Sequence, residues 1–424
     1  MKVRYIYSAC IEIETKDIRI LTDPWFTPGA YDGAWHQFPL IDNPLEIINE
    51  PDIIYISHIH PDHYDPIFLH KIFAKYGKKP VIIPVFENNY LLYKAKADGI
   101  EVTPIEHSLY GDTHLYVVPN IHGSASDIDS ALFVSCDGVN VLNLNDCIES
   151  AQHTAKLHSI ISRHCSKLDL LALGYTGAGP FPQTYYDLAD PELEFKAEQK
   201  KQQFFKRYLD YTKLFPAKNH LPFAGKYLLG GKLAKLNDFR GVADAYEIKA
   251  FDPKAIILAD KGEGEIDLQT GELSKERKQC YSKEDYEARK LVLQAELLDY
   301  ESEICIPYEK IKFSKLVQSS LVNALRKSEN LVDYFFVFNI MADDKIREKL
   351  VINTRKTSAA ILLPHSDNLT PRSEYYVDYR HFFGCLTGIY HWNNAEVASF
   401  CNVRRVPNIH SPKAQSFLNF LSIC

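Results

Sequence analysis

The segment SHIHPDHYD at positions 57–65 constrains this chain more than any other feature of its sequence. It directly follows PDIIYI, a short apolar run of the kind that forms a buried strand. The potential metal ligands in it are His58, His60, Asp62 and His63. Neutral imidazole and carboxylate suit zinc, iron or manganese, and two adjacent pairs of ligands can serve two ions. The sequence therefore predicts a metal centre at the turn after this strand, in preference to a polar turn with merely exposed histidines.

The first 150 residues read as short apolar strands separated by turns. VRYIYSACIEIE and IRILTDPWF, with a turn at residues 15–17, predict a hairpin. DPIFLHKIFAKYG and SAQHTAKLHSIISRHC have the spacing of amphipathic helices, whereas VNVLNLN predicts a buried strand. Strands first, followed by alternating strands and helices, fit two packed sheets with helices outside, an α/β architecture.

Length and polarity suggest how the chain is divided. At 424 residues it exceeds the size at which one hydrophobic core usually stops growing. Residues 262–278 are the most polar stretch and predict a surface loop. Residues 282–304 beyond it predict one helix with Ser282 as its N-cap. We therefore predict a catalytic domain over residues 1–260 and a C-terminal α/β extension over 261–424 that packs on it or completes it.

Bulk properties exclude several classes of function. A formal charge of −7 argues against general binding to nucleic acid or to an anionic membrane. The N-terminus lacks the apolar stretch of a signal peptide, and no run reaches the length of a membrane span. The nine cysteines include no CxxC pair, which argues against a disulfide framework and a zinc ribbon. We expect a cytoplasmic protein with a small-molecule substrate and with no nucleic-acid or membrane partner.

Several motifs together resemble the metallo-β-lactamase superfamily in its UlaG-like branch: LTDPW, IYISHIHPDH, the downstream His122, and LNLND with Asp146. The resemblance implies an αββα metallo-β-lactamase sandwich. It also implies that one metal is held by His58, His60 and His122, that Asp62 and His63 hold a second, and that Asp146 bridges the two. Asp146 also ends the strand VNVLNLN, so its carboxylate would emerge at the same sheet edge, although capping a turn is the alternative. Asp62 and Asp146 are the candidate catalytic residues.

One departure from the superfamily narrows the resemblance. A late histidine usually closes the second metal site, but the corresponding stretch reads LPFAGKY, with Ala224 at the ligand position. His220 is a possible substitute. Otherwise the second metal binds weakly, is absent, or has its coordination completed by solvent and substrate. The PFAG run, the pair Asp146 and Cys147, and the GAGPFPQTYY stretch from Gly177 are similar to the catalytic part of the CMP-N-acetylneuraminate hydroxylase family.

That narrower resemblance implies an iron-dependent oxygenase with one or two iron ions. The hydroxylase family also carries a Rieske iron–sulfur module, which needs paired Cys and His ligands. This sequence starts at the first strand of the metallo-β-lactamase part. Electrons are therefore expected from an external donor or from the substrate. The alternative is a zinc- or manganese-dependent hydrolase of a phosphoester, lactone or amide, in which the metal activates water. A metal-binding protein without activity is a third reading.

Residues on loops near the metal turn are candidates for binding substrate, because loops above a rigid sheet often carry recognition. Trp25 and His36 follow LTDPW, Gly177 and Phe181 lie in the glycine-rich stretch, and Lys226 follows PFAG. Asp23 in LTDPW would hold a histidine ligand by its distal nitrogen, or would simply form a turn before proline. YHWNN at residues 390–394 is aromatic and polar enough to reach a pocket.

Overall fold

The computed structural model describes residues 1–122, 127–328, 331–355 and 368–424. Its strands are, in chain order, β1 (Lys2–Tyr7), β2 (Cys10–Glu14), β3 (Arg19–Thr22), β4 (Trp35–Gln37), β5 (Ile53–Tyr55), β6 (Val81–Ile83), β7 (Thr103–Pro104), β8 (His107–Tyr110), β9 (Thr113–Pro119), β10 (Ser130–Cys136), β11 (Val139–Asn143), β12 (Leu168–Gly174), β13 (Ala217–Phe223), β14 (Tyr227–Leu229), β15 (Gly264–Asp267), β16 (Phe335–Ala342), β17 (Lys345–Asn353), β18 (Arg372–Asp378) and β19 (Asn402–Val406).

The α-helices are α1 (Pro44–Ile47), α2 (Pro66–Tyr76), α3 (Tyr90–Ala97), α4 (Ala151–Ile161), α5 (Leu193–Leu214), α6 (Lys283–Leu293), α7 (Asp299–Glu303), α8 (Phe313–Lys327), α9 (Tyr379–Thr387), α10 (Trp392–Val397) and α11 (Pro412–Asn419). Short 3-10 helices span Gly231–Phe239, Ala245–Ala250 and Tyr308–Lys310. Among the described residues, no helix is both long enough and apolar enough to cross a membrane.

Two mixed sheets form the centre of the molecule. One has the strand order β15-β1-β2-β3-β5-β6-β7 and the other β13-β12-β11-β10-β9-β8. Their facing sides share one apolar cluster, to which Ile11 and Tyr55 contribute from the first sheet and Leu132 and Val141 from the second. Helices α2 and α3 cover the outer face of the first sheet, and α4 and α5 cover that of the second. This is the αββα sandwich that the resemblance implied.

Three local predictions differ from the structure. VRYIYSACIEIE is two strands, because Ser8 takes a left-handed φ of 50° and turns the chain between β1 and β2. The polar stretch 262–278 contains β15, an edge strand that pairs with β1 and buries Ile266, so this part is no surface loop. The helix predicted over 282–304 is split into α6 and α7. The chain turns there to bury Leu298, and the N–H of the next residue donates to the carbonyl of Asp32. Ser282 does cap α6.

The C-terminal extension packs against the helical side of the first sheet. Its own sheet has the order β17-β16-β18-β19, with α8, α9 and α11 alongside. A single apolar cluster contains Trp25 and Phe68 from the sandwich together with Phe338 and Trp392 from the extension. This shared cluster places α10, the helix of the YHWNN motif, next to the metal turn.

Candidate metal centre

The predicted metal turn is folded as a compact loop at the end of β5. The carbonyl of His60 accepts hydrogen bonds from the N–H groups of His63 and Tyr64, at 3.0 and 2.8 Å. Asp65 caps α2 by accepting from the N–H of Phe68, and it also accepts from the N–H of Thr27. The turn is therefore fixed both by its own backbone and by the loop after β3.

Asp23, directly after β3, orients the last histidine of the turn. Its carboxylate accepts from the backbone N–H and from the hydroxyl of Ser57, both at 2.7 Å, and its Oδ2 lies 3.0 Å from Nδ1 of His63. Since a carboxylate can only accept here, Nδ1 of His63 carries the proton and Nε2 is left free. A buried carboxylate that fixes the tautomer of a ligand histidine in this way is common at metal sites.

The free nitrogen of His63 faces two carboxylates without bonding to either. Nε2 lies 3.5 Å from Oδ2 of Asp62 and 3.5 Å from Oδ2 of Asp146, which is too long for a hydrogen bond. It is buried and has no hydrogen-bond partner among the described residues. Ligand atoms of His58, His63 and Asp146 all lie within 4.8 Å of one another. A buried imidazole nitrogen between carboxylates, with no partner of its own, fits a metal ion.

The charges around the turn also favour a cation. Burial alone lowers the pKa of His63, but the carboxylates of Asp62, Asp146 and Asp23 outweigh it and raise that pKa well above its usual range. Burial, followed by the neighbouring His63 and His60, lowers the pKa of His58 well below its usual range. His58 is therefore a neutral imidazole, the form that binds metal.

His58 lies near a carboxylate that the sequence analysis did not identify. Nε2 of His58 lies 2.9 Å from Nδ1 of His60 and 3.9 Å from Oδ1 of Asp129. Desolvation by the surrounding protein and the charge of Asp146 raise the pKa of Asp129 to about 7. His58 therefore lies between the imidazole of His60 and the carboxylate of Asp129, and it also packs against His63, with ring centroids 4.0 Å apart.

The predicted third histidine lies elsewhere. His122 is exposed on the segment after β9, and its N–H donates to Asp127 at 2.8 Å. His220, the candidate substitute for a late histidine, lies on β13 with its Nδ1 2.7 Å from Oδ2 of Asp252. Neither belongs to the groups of ligand atoms found among the described residues. Their assignment as ligands remains a prediction from the resemblance.

The C-terminal extension contributes directly to this centre. Nε2 of His60 lies 3.0 Å from Oδ1 of Asn393 on α10, a residue 333 positions away in sequence. Because an amide oxygen accepts, Nε2 carries the proton and Nδ1 of His60 is the atom turned towards His58. The YHWNN motif therefore reaches the metal centre as an orienting group.

We expect the Asn393→Ala protein to bind metal about 10–100-fold more weakly, the usual effect of removing a group that orients a ligand histidine. The measurement is a metal titration of the chelated protein against a competing chelator. Asn394→Ala is the matched control, because Asn394 is the next residue on α10, is also half-buried, and has no described hydrogen bond to the metal turn. Equal metal affinity in the two variants would contradict the orienting role.

A cavity of about 230 Å³ opens beside Asp62 and Asp146. Its other walls include Trp35, Thr176, Gly177, Arg207, Ala224 and Tyr227. Ala224 lies where the superfamily would provide a histidine, and the methyl group there leaves that side of the metal centre open. A Cβ on Gly177 would come within 1.8 Å of the Phe204 ring, so a larger residue there would have to displace that ring.

The predicted substrate-binding residues are only partly gathered at this cavity. Gly177 lines it, whereas Trp25 is buried beside Trp35 and borders a separate cavity of about 880 Å³ under the C-terminal extension. His36 is buried on β4 near the carbonyl of Gly33, and Phe181 is partly exposed. The ammonium of Lys226 points to Asp244 and a group of aromatic rings. These assignments remain predictions, and Arg207 is a cavity residue that the sequence analysis did not identify.

Asp129 could have been found from strand order. It immediately precedes β10, which runs antiparallel to β11, and Leu132 pairs with Asn143 near the end of that neighbour. The start of β10 and the end of β11 therefore share one sheet edge, so Asp129 and Asp146 emerge together. No comparable local signal exists for Asn393, because its position depends on how the whole extension packs.

Comparison with known proteins shows similarity over parts of this chain. Residues 2–160 match the model of the Beta-lactamase superfamily domain. The cytidine monophosphate-N-acetylneuraminic acid hydroxylase of Danio rerio is 28% identical over 240 residues, which is 53% of this chain and 38% of that protein. The inactive human hydroxylase is 27% identical over 244 residues, 54% of this chain and 45% of that protein. The chain thus spans less than half the length of these curated relatives.

Solved structures of lower similarity include an isothiocyanate hydrolase from Delia radicum gut bacteria, at 15% identity and a TM-score of 0.41, covering 63% of this chain and 98% of that one. CmlA, a diiron β-hydroxylase from Streptomyces venezuelae, is 14% identical with a TM-score of 0.39, covering 60% of this chain and 52% of that one. Residues 2–160 thus match a β-lactamase superfamily domain, and about half of the chain is similar to CMP-N-acetylneuraminic acid hydroxylase.

Proposed function

We propose that this chain is an iron-dependent oxygenase that hydroxylates a small polar or nucleotide-sugar-like substrate. The observation that carries the proposal is that Nε2 of His58 lies 2.9 Å from Nδ1 of His60 and 3.9 Å from Oδ1 of Asp129. Two histidines and one carboxylate with open positions are typical of non-haem iron oxygenases. Iron held there would supply the redox chemistry that dioxygen requires.

The donor atoms around His63 also support the oxygenase proposal. Asp62, His63 and Asp146 provide donors for a second ion, but Ala224 offers no ligand atom to close that site. A two-metal hydrolase uses both ions to polarise substrate and activate water, so an incompletely closed site is costly for it. An oxygenase requires open positions for dioxygen and substrate.

The cavity beside Asp146 suits the reacting part of a polar, anionic substrate. The guanidinium of Arg207 at its wall lies over the Phe204 ring and forms no ion pair with a described carboxylate. It is therefore available for a phosphate or carboxylate group. The relatives that the chain matches are named for a nucleotide-linked sugar acid, which has both groups. We propose Arg207 as the residue that binds the anionic group.

The proposal includes an external electron donor, unless the substrate itself supplies the electrons. Hydroxylation with dioxygen places one oxygen atom in the product and reduces the other to water, which consumes two electrons beyond those of the C–H bond. The described metal centre consists of imidazole and carboxylate groups, and these do not supply electrons.

A zinc- or manganese-dependent hydrolase is the second candidate. The specific observation in its favour is that carboxylate oxygens of Asp62 and Asp146 each lie 3.5 Å from Nε2 of His63, and that His63 and Asp146 share a ligand group with His58. Two ions in adjacent groups are the arrangement of two-metal hydrolases. Its substrate would be a phosphoester, lactone or amide.

The deciding experiment compares protein reconstituted separately with Fe(II), Zn(II) and Mn(II), with and without oxygen. Substrates are nucleotide sugars with a chemical reductant and simple phosphoesters. We expect turnover only with iron, oxygen and reductant, and incorporation of label from ¹⁸O₂ into the product. Asp129→Asn, which removes the carboxylate charge but keeps the size of the side chain, is expected to reduce both iron affinity and turnover.

Zinc- or manganese-supported turnover that proceeds equally well without oxygen would overturn the oxygenase proposal and establish the hydrolase. Full iron binding by Asp129→Asn would instead show that the 2-His-1-carboxylate assignment is wrong.

A further inference from the structure

A second cluster of potential ligands lies beside the metal centre. Cys147 directly follows Asp146, Glu149 lies just before α4, and His153 lies in its first turn. One ligand atom from each residue lies within 4.8 Å of the other two. The side chains of Glu149 and His153 are 2% and 0% exposed, and Cys147 is 3% exposed. A thiol, a carboxylate and an imidazole therefore meet in the protein interior.

The imidazole of His153 is oriented as in a metal ligand. Its Nε2 lies 3.1 Å from the carbonyl oxygen of Val118, so Nε2–H donates to the backbone. Its Nδ1 is thereby turned towards Glu149, whose oxygens lie 3.1 and 3.2 Å away. A ligand histidine typically donates its other N–H to a backbone carbonyl or a carboxylate in this way. The hydroxyl of Thr154 donates to Oε2 of Glu149 at 2.9 Å and holds that carboxylate in place.

The chemistry of the three donors selects a particular class of ion. Thiolate and carboxylate together carry two negative charges, which balance a divalent cation in a buried site. Sulfur is a soft ligand and favours zinc-like ions, whereas the neighbouring centre offers only nitrogen and oxygen. Zinc bonds of about 2.0–2.3 Å require only a small closing movement of these side chains.

We propose that Cys147, Glu149 and His153 form a separate site for a divalent ion of the zinc class. Cys147 also borders the 230 Å³ cavity, so solvent can complete the coordination from that side. The alternative is a purely structural Glu149–His153 ion pair that fixes the start of α4. The site does not depend on the proposed oxygenase activity, since none of its ligands belongs to the 2-His-1-carboxylate group.

Cobalt distinguishes the two readings, because a thiolate ligand to Co²⁺ gives an intense charge-transfer band in the near ultraviolet and nitrogen or oxygen ligands do not. The full chain is chelated and titrated with Co²⁺. We expect the band to appear and to reach a final intensity that corresponds to one thiolate-bound cobalt ion per chain. It should be lost in Cys147→Ser and retained in His63→Ala, in which the neighbouring centre is disrupted.

Cys136→Ser is the matched control, because Cys136 is another buried cysteine, located on β10, and its replacement should leave the band unchanged. Absence of the band in the unmodified protein, or its persistence in Cys147→Ser, would overturn the proposal. If circular dichroism shows that Cys147→Ser does not fold, His153→Gln takes its place. The His153→Gln protein should need a higher cobalt concentration before the band appears. A band that appears at the same cobalt concentration as in the unmodified protein would also overturn the proposed site.

Discussion

The His58→Ala protein is expected to lose most of its bound metal while remaining folded. His58 is fully buried and neutral, and its Nε2 is the atom closest to both His60 and Asp129. Removing an orienting group costs about 10–100-fold in affinity, and removing the ligand itself should cost at least as much. Elemental analysis of anaerobically purified protein measures the loss, and circular dichroism monitors the fold.

His70→Ala provides the matched control for this experiment. His70 lies on the exposed side of α2, where its Nε2 faces the carbonyl of Asp98, so its removal should leave the metal content unchanged. Full metal occupancy in the His58→Ala protein would refute the assignment of His58 as a ligand. Equal loss in both variants would point to a general effect of replacing a histidine.

The second large effect is expected from Trp392→Ala in the C-terminal extension. The indole is 1% exposed, donates its N–H to the carbonyl of Leu421 at 2.8 Å, and packs against Phe338 and Phe382. Truncating a buried aromatic residue to alanine typically lowers the free energy of unfolding by about 3–5 kcal/mol. Because Asn393 is the next residue, the same change should also weaken metal binding.

Chemical denaturation measures the stability, and a metal titration of the folded variant measures the affinity. Phe195→Ala is the control, because this phenylalanine is 60% exposed on α5 and its truncation should cost little. A Trp392→Ala protein as stable as the Phe195→Ala protein would show that the indole is not part of a tightly packed core. Lower stability with unchanged metal affinity would show that the packing of α10 does not influence metal binding.

The features that can be predicted from the sequence depend on local segments. The metal turn is a contiguous segment after an apolar strand, so residues 57–65 identify it without any knowledge of the fold. Asp146 follows a strand with a clear apolar pattern, and the sheet brings it to the edge where that turn lies. Helices α2 and α4 have their apolar residues at helical spacing, and they formed as predicted.

The parts that sequence did not predict depend on packing between distant segments. β15 has a single buried aliphatic residue, Ile266, in a polar stretch, and only its pairing with β1 makes it a strand. Asp129 sits in a run with several polar residues, and nothing in that run distinguishes it until β10 is aligned against β11. Asn393 reaches His60 through an apolar cluster that combines the sandwich with the extension.

The contact between Asn393 and His60 couples metal binding to the docking of the C-terminal extension. If the docked extension raises the metal affinity by some factor, thermodynamic linkage requires bound metal to raise the equilibrium constant for docking by the same factor. A tenfold contribution corresponds to about 1.4 kcal/mol in each direction. Metal scarcity would then loosen α10 as well as empty the centre, so the chain's resistance to proteolysis near residues 390–394 would report on metal supply.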